Sequence, residues 1–307
     1  MVAWSNCDED EAGSGAGHLM RSALVGLFAI VVLARASLFL AYAGLRFDDP
    51  LDVFALEAKM AHHAWRFQHG LDLYPAWEHF PYIPNFFAPL YFVIVGALAR
   101  AWSASIDSLF LIGRAVTLLA VALTAIGTAW SARRLFGLGW TGGAVAGAVT
   151  LGGLPLIGFG LMVRPDALAE SLGLAGAALV VLRGLGWRAL GIVLLALGIL
   201  TKQTAGVYVL AAAAALLASP DRRVWGVLTL ILPLALAGSV VALVTGMGNP
   251  RFLPSLLAES ASPFQLKHWW ATLLRMLKYG PDQLLIPCLG VLAWWRSTPR
   301  RPALAAF

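Results

Sequence analysis

An all-α membrane bundle is the fold class this sequence predicts, and three observations predict it. The chain is 60% hydrophobic and only 12% charged, whereas soluble domains carry roughly a quarter charged residues. Its apolar residues fall into the runs Ser22–Leu45, Ser108–Ala132, Thr141–Val163, Ala167–Leu182 and Val224–Thr245, mostly long enough to cross ~30 Å of hydrocarbon as helices. Its positive charges collect in short arginine clusters between those runs, the pattern that sets membrane orientation. The expectation is a polytopic transmembrane helix bundle of about eight membrane segments, with interfacial helices in its first and last long outer loops.

The elements follow in order. Residues 1–21, with Asp8-Glu9-Asp10-Glu11 and then Gly, Ser and Ala, read as a disordered cytoplasmic tail. Almost no basic residue precedes Arg21, which is unlike a cleaved signal peptide. Residues 22–301 form one transmembrane domain and 302–307 a short tail. Placing Arg133-Arg134, Arg183, Arg188, Arg222-Arg223, Arg296, Arg300 and Arg301 on the cytoplasmic side puts both termini inside. The run Phe86–Trp102 is then an interfacial or re-entrant helix, with Pro84 and Pro89 at its start and Arg100 near its end. By the same test Ala189–Ala218 is two short helices broken near Thr201-Lys202-Gln203-Thr204. Non-helical backbone at that depth is tolerated where it lines a cavity inside the protein. Two long outer segments remain, 46–107 and 246–282. Phe252, Leu253, Leu256 and Leu257 in the second, followed by Trp269-Trp270 and Leu273-Leu274, have the pattern of interfacial helices with an aromatic anchor.

Several function classes are disfavoured. The net charge of +6 comes mostly from the inter-span arginines, and no basic face interleaved with aromatics points to nucleic acid. Cys7 lies in the tail and Cys288 in an apolar run, so neither a disulfide nor a cysteine metal site is expected. His62, His63, His69, His79 and His268 lack zinc-ligand spacing.

The residues that could carry chemistry lie toward the outer side. Asp49-Pro50-Leu51-Asp52 reads as a helix start, with Asp49 at the N-cap and Asp52 near the positive end of the dipole, and Gly70 as its stop. Val53, Met60, Ala64 and Phe67 form an apolar stripe on that helix, opposite Lys59, His62, Arg66 and His69. Glu57 belongs to the apolar stripe, so it points into something. Two readings stand: a functional carboxylate, or a buried structural ion pair with an intramembrane arginine. Arg35, mid-span, needs a partner inside the bundle; Arg114, about two turns into its span, either pairs or snorkels to the interface. Arg164-Pro165-Asp166 opens the next span with Glu170 one turn deeper on the same face. That pair is either dipole-favoured capping or a site where a cation sits between two carboxylates. Lys202 and Gln203 lie at the helix break, where a lysine either snorkels or meets a phosphate at headgroup depth.

Several stretches together resemble a known class. Glu57 to Tyr74, with Ala64, Arg66, Gly70 and Leu73-Tyr74, is followed by Tyr82-Ile83-Pro84 and Ala88-Pro89-Leu90-Tyr91. Gly113-Arg114, Arg164-Pro165-Asp166-Ala167-Leu168 and Leu200-Thr201-Lys202-Gln203-Thr204 then follow in order. From about Ala34 to Pro220 this is similar to the GT-C class of polytopic membrane glycosyltransferases, nearest the protein-mannosyltransferase-like and Rgt-like branches. The resemblance implies an inverting transfer of a sugar from a polyprenyl-phosphate donor to a lipid or glycan acceptor. It places the reaction on the outer face of a bacterial cytoplasmic membrane, with membrane lipids as partners. By position it implies Glu57 as the catalytic carboxylate that acts as base or orients the acceptor, and Asp166 as the second acidic residue of the site. Arg114, Arg164, Lys202 and Gln203 converge at the outer interface, where a lipid phosphate would lie. A divalent Mg or Mn, with Asp166 as the ligand to test, is left open. Leu56 and Ala58 stand where many members of the class have Asp and Gly. Members also continue with further spans, which implies either a fragment or a short member. The alternatives are a transporter or flippase of a lipid-linked or anionic substrate, and a short non-catalytic relative.

Overall fold

The computed structural model describes residues 14–49, 56–75, 85–153, 160–246, 250–260, 270–271 and 274. All the regular elements among them are helical. They are α1 (Ser14–Arg46), α2 (Leu56–Gln68), α3 (Leu90–Ala101), α4 (Ile106–Phe136) and α5 (Trp140–Leu151). After these come α6 (Asp166–Val181), α7 (Leu185–Thr201), α8 (Gly206–Leu217), α9 (Arg223–Gly246) and α10 (Phe252–Ser260). Single 3-10 turns occupy Gln203–Ala205 and Pro220–Arg222.

Among the described residues, three stretches are long and apolar enough to cross a membrane: Ala29–Arg46, Ile106–Phe136 and Pro220–Gly246. Leu33, Leu38 and Leu40 on α1, Leu119 and Ile126 on α4, and Leu234 and Leu243 on α9 all face outward. In water such surfaces would associate; against lipid they are in their preferred solvent. The inward faces instead carry small residues, as in α6, where Ala167, Ala169, Ser171, Gly173, Gly176, Ala177 and Ala178 are buried. Close packing replaces the hydrophobic effect as the glue between such helices.

The other two apolar runs give shorter helices than the three above. Helix α5, which starts one residue before the run Thr141–Val163, has 12 residues, and α6, which matches the run Ala167–Leu182 to within one residue, has 16. At 1.5 Å per residue they reach only about 18 and 24 Å. Gly152-Gly153 ends α5, and α6 sits between Pro165 and Arg183-Gly184, so backbone breakers override hydropathy. At the other end of the chain, α1 already begins at Ser14, inside the stretch read as tail.

Helix α3 has 12 residues, about 18 Å, the length of an interfacial or re-entrant element. Helix α2 ends where Gly70 takes φ +69°. There the amides of Leu71 and Gly70 donate to Arg66 O and Phe67 O, a Schellman stop. Helix α3 is tied to it by exchange: Arg100 donates to the carbonyls of Gln68 (2.8 Å) and Phe67 (2.7 Å), while Gln68 donates to Ala104 O at 2.8 Å. Asp49 pairs with Arg46 at the end of α1; the expected helix start at Pro50–Asp52 lies outside the described residues, as do Tyr82-Ile83-Pro84 and the Trp269 anchor.

Helix α6 packs between α4 on one side and the α7–α8 pair on the other, with α9 covering α7 and α8 and α1 leaning on α5. Arg35 of α1 lies against Gly152 at the end of α5. The break in the α7–α8 pair falls at Lys202, which is extended (φ −155°, ψ 130°). Arg188 near the start of α7 donates to Leu182 O, and Arg222 just past α8 donates to Val181 O. Both feet of the hairpin therefore stand at the far end of α6, and its bend sits beside Asp166.

Candidate functional site

Two acidic centres lie side by side at the near end of α6, and they are built differently. In the first, Arg114 of α4 meets Glu57 of α2 in a bidentate ion pair, Nε to Oε1 at 3.1 Å and Nη2 to Oε2 at 2.8 Å. Its remaining nitrogen, Nη1, donates to the carbonyls of Arg46 (3.3 Å), Phe47 (3.0 Å) and Asp49 (2.7 Å). The Val163 amide adds a third bond to Glu57 Oε1 at 2.8 Å. Both residues are only 4% exposed. The fork geometry spends the guanidinium on one carboxylate and on the open end of α1. Gly113 allows this approach, because a Cβ there would lie 2.6 Å from Val163 Cγ1. Beneath it Tyr91 bonds Gly113 O and Thr117 Oγ1, both at 3.1 Å, and Thr117 reaches Arg164 O at 3.4 Å.

The second centre is a half-open cleft of about 180 Å³ lined by Asp166, Glu170, Lys202, Thr204, Ala205 and Tyr208, among others. Asp166 Oδ1 accepts from Lys202 Nζ at 2.7 Å and Oδ2 from Arg164 Nε at 3.0 Å. Burial disfavours the Asp166 carboxylate, but the hydrogen bond and charge of Lys202 and the charge of Arg164 outweigh it, and its pKa lies below the ordinary aspartate value. Two cations thus face one another across one carboxylate. Glu170, one turn deeper, lines the same cleft and forms no hydrogen bond or ion pair with the described residues. The Tyr208 ring closes the wall over Gly173, where a Cβ would lie 2.3 Å from Tyr208 Cδ2.

The segment before α3 roofs this cleft. Gln203 Nε2 donates to Phe86 O at 2.9 Å, and Lys202 Nζ lies 5.4 Å from the centre of the Phe87 ring. Lys59 of α2 stands over Phe86 at 4.9 Å. Phe87 O accepts from Tyr74 Oη at 2.8 Å, and Tyr74 packs on Phe252 of α10 with ring centres 4.6 Å apart.

The structure gathers all six residues singled out in the sequence at one end of the bundle, but in two groups. Glu57 and Arg114 form the closed pair; Asp166 and Lys202 line the cleft, with Arg164 bonded to Asp166 and Gln203 next to Lys202 in the chain. Arg114 does not snorkel, because its guanidinium is consumed by Glu57 and three carbonyls. Sequence reasoning gave Glu170 too little weight and passed over Tyr208. The i,i+4 spacing from Asp166 was the signal for Glu170. Tyr208 carried none, because the facing of α8 depends on the bend at Lys202. Among the described residues no group of three or more His, Cys, Asp and Glu could hold a metal ion. With a lysine and an arginine already on its two oxygens, Asp166 faces an excess of positive charge and does not fit a divalent ion. Comparisons with protein families, curated proteins and solved structures yield no match to this chain.

Proposed function

We propose that this protein is a membrane glycosyltransferase that moves a sugar from a polyprenyl-phosphate carrier to a lipid or glycan hydroxyl, with inversion. The observation that carries the reading is the cleft at the helix break, where Lys202 and Arg164 are fixed by Asp166 beside the Glu170 carboxylate, which has no hydrogen bond or ion pair among the described residues. That set matches the demands of the reaction. Cations held in place stabilise a departing phosphate, commonly the largest catalytic term, and an adjacent carboxylate takes a proton.

In this scheme the acceptor oxygen attacks the anomeric carbon and its proton passes to Glu170. The bond from that carbon to the phosphate oxygen breaks, and the electron pair leaves with the phosphate, which Lys202 and Arg164 neutralise. Gln203 holds the roof segment at Phe86. Glu57, tied to Arg114 and the Val163 amide, sets the chain that carries Arg164 and Asp166, and so acts as a positioning residue. The arrangement belongs, in this proposal, to a bundle of about eight membrane segments in a bacterial cytoplasmic membrane, termini inside and cleft outside. No step in it calls for a metal.

The test is incubation of membranes containing the protein with a panel of polyprenyl-phosphate sugars, scored for transferred sugar. Transfer by the native chain, lost in Lys202→Met, is the expected result. No transfer from any donor by protein that is demonstrably folded would end the reading.

A further inference from the structure

The far end of α6 carries a second charged feature that the transfer reaction does not use. Arg188 Nε donates to Leu182 O at 3.1 Å and Arg222 Nη1 to Val181 O at 3.0 Å. Hydrogen bonds to successive carbonyls bring the two guanidiniums together at one helix end. Arg188 also lies over the Trp225 ring, 4.4 Å from its centre. Among the described residues the two arginines have one carboxylate partner, Asp221, 3.7 Å from Arg222 and 68% exposed. Burial and the like charges of Arg222 and Arg183 hold the Arg188 pKa below the ordinary arginine value, with Asp221 pulling weakly the other way.

Capping alone does not require this arrangement. A helix C-terminus gains from one nearby cation, and each guanidinium here uses a single N–H of its five on a carbonyl. Arg222 Nε also faces the exposed Asp221; the other N–H groups make no hydrogen bond to the described residues and are open to an anion. Trp187 and Leu185, next to these arginines in the chain, are exposed and offer the apolar surface that aromatic residues present at membrane interfaces.

From this arrangement we infer a specific binding site for the phosphate headgroup of an anionic phospholipid, formed by Arg188 and Arg222 with Arg183 beside them. Basic pockets between membrane helices take such headgroups, and planar guanidiniums match phosphate oxygens in a fork. The site lies at the opposite end of α6 from the cleft, about 24 Å away at 1.5 Å per residue, and it stands independently of the reaction proposed above.

The experiment is lipid retention by the intact protein, read by native mass spectrometry after extraction from vesicles of phosphatidylcholine mixed with phosphatidylglycerol. The native chain should retain phosphatidylglycerol selectively, and Arg188→Gln/Arg222→Gln should weaken retention about tenfold or more, the worth of one or two charge-assisted contacts. Arg133→Gln/Arg134→Gln, with the same loss of charge elsewhere, should leave it unchanged. Equal losses in both variants would reduce the effect to general attraction and overturn the site, as would retention unaffected by either. Inorganic phosphate stabilising the protein against heat as well as the lipid does would mark a free-anion site and equally overturn the proposal. If the glutamine variant does not fold, Arg188→Lys/Arg222→Lys keeps the charge without the fork, and it should show the same loss of selectivity.

Discussion

Glu57 and Asp166 are both acids paired with arginine at the same end of the bundle, yet one centre is closed and the other open. Glu57 is 4% exposed and has three hydrogen bonds from two partners. Asp166 borders a cavity and shares its charge between two cations, Arg164 and Lys202. The difference teaches how to tell a structural ion pair from a working one. A closed pair has every polar atom satisfied by protein, so removing one partner strands a buried charge. An open pair holds groups in place for something else, so removing one partner disturbs function more than fold.

The sharpest way to break this contrast is Glu57→Ala. Stranding the Arg114 guanidinium should cost about 3–5 kcal/mol, seen as a large drop in the unfolding midpoint of detergent-solubilised protein. A midpoint near the native value would mean the pair is dispensable to the fold. Next in size, Lys202→Met should reduce sugar transfer by about 10²-fold or more, since one charge-stabilising donor is commonly worth that much, with the unfolding midpoint nearly unchanged. A variant that unfolds instead would move Lys202 into the structural class.

A smaller effect is expected at the cleft wall. Gly173→Ala places a Cβ into the Tyr208 ring and should cost about 1–3 kcal/mol, with Tyr208→Ala in the same chain relieving part of it. Additive losses in that double variant would show that the contact does not exist. The smallest effect concerns pH. Because Lys202 and Arg164 hold Asp166 below the ordinary aspartate value, its contribution to stability is present above about pH 3.9 and is lost only as pH falls through its lower folded value. Asp166→Asn should remove that acid-side decline from a plot of unfolding midpoint against pH; an unchanged plot would mean the carboxylate is not linked to its cations.

Much of the helical architecture was legible in the sequence, because hydropathy and breakers act locally. Gly70 stops α2, Thr201–Thr204 breaks the hairpin, and Pro165 precedes α6, each for a reason carried by the residue itself. The out-of-place character of Glu57 was legible too, from its position on an apolar stripe. Its partner was not, since Arg114 is 57 residues away and either Arg35 or Arg114 satisfied the same rule. Helix α6 matches its apolar run to within a residue, whereas α5 ends well before Val163, because an apolar run marks what lipid or a protein interior tolerates and not where the helix ends. Tyr208 and the roof at Phe86 and Phe87 depend on how a bent helix faces its neighbours, which residue spacing does not encode.

The most direct measurement compares Glu57→Gln with Glu170→Gln for sugar transfer per folded molecule, alongside their unfolding midpoints. The account predicts that Glu170→Gln folds as the native chain does and loses about 10²–10⁴-fold in rate, the usual range for removing a general base. It predicts that Glu57→Gln is less stable yet transfers sugar once folded. A stable but inactive Glu57→Gln, beside an active Glu170→Gln, would contradict it.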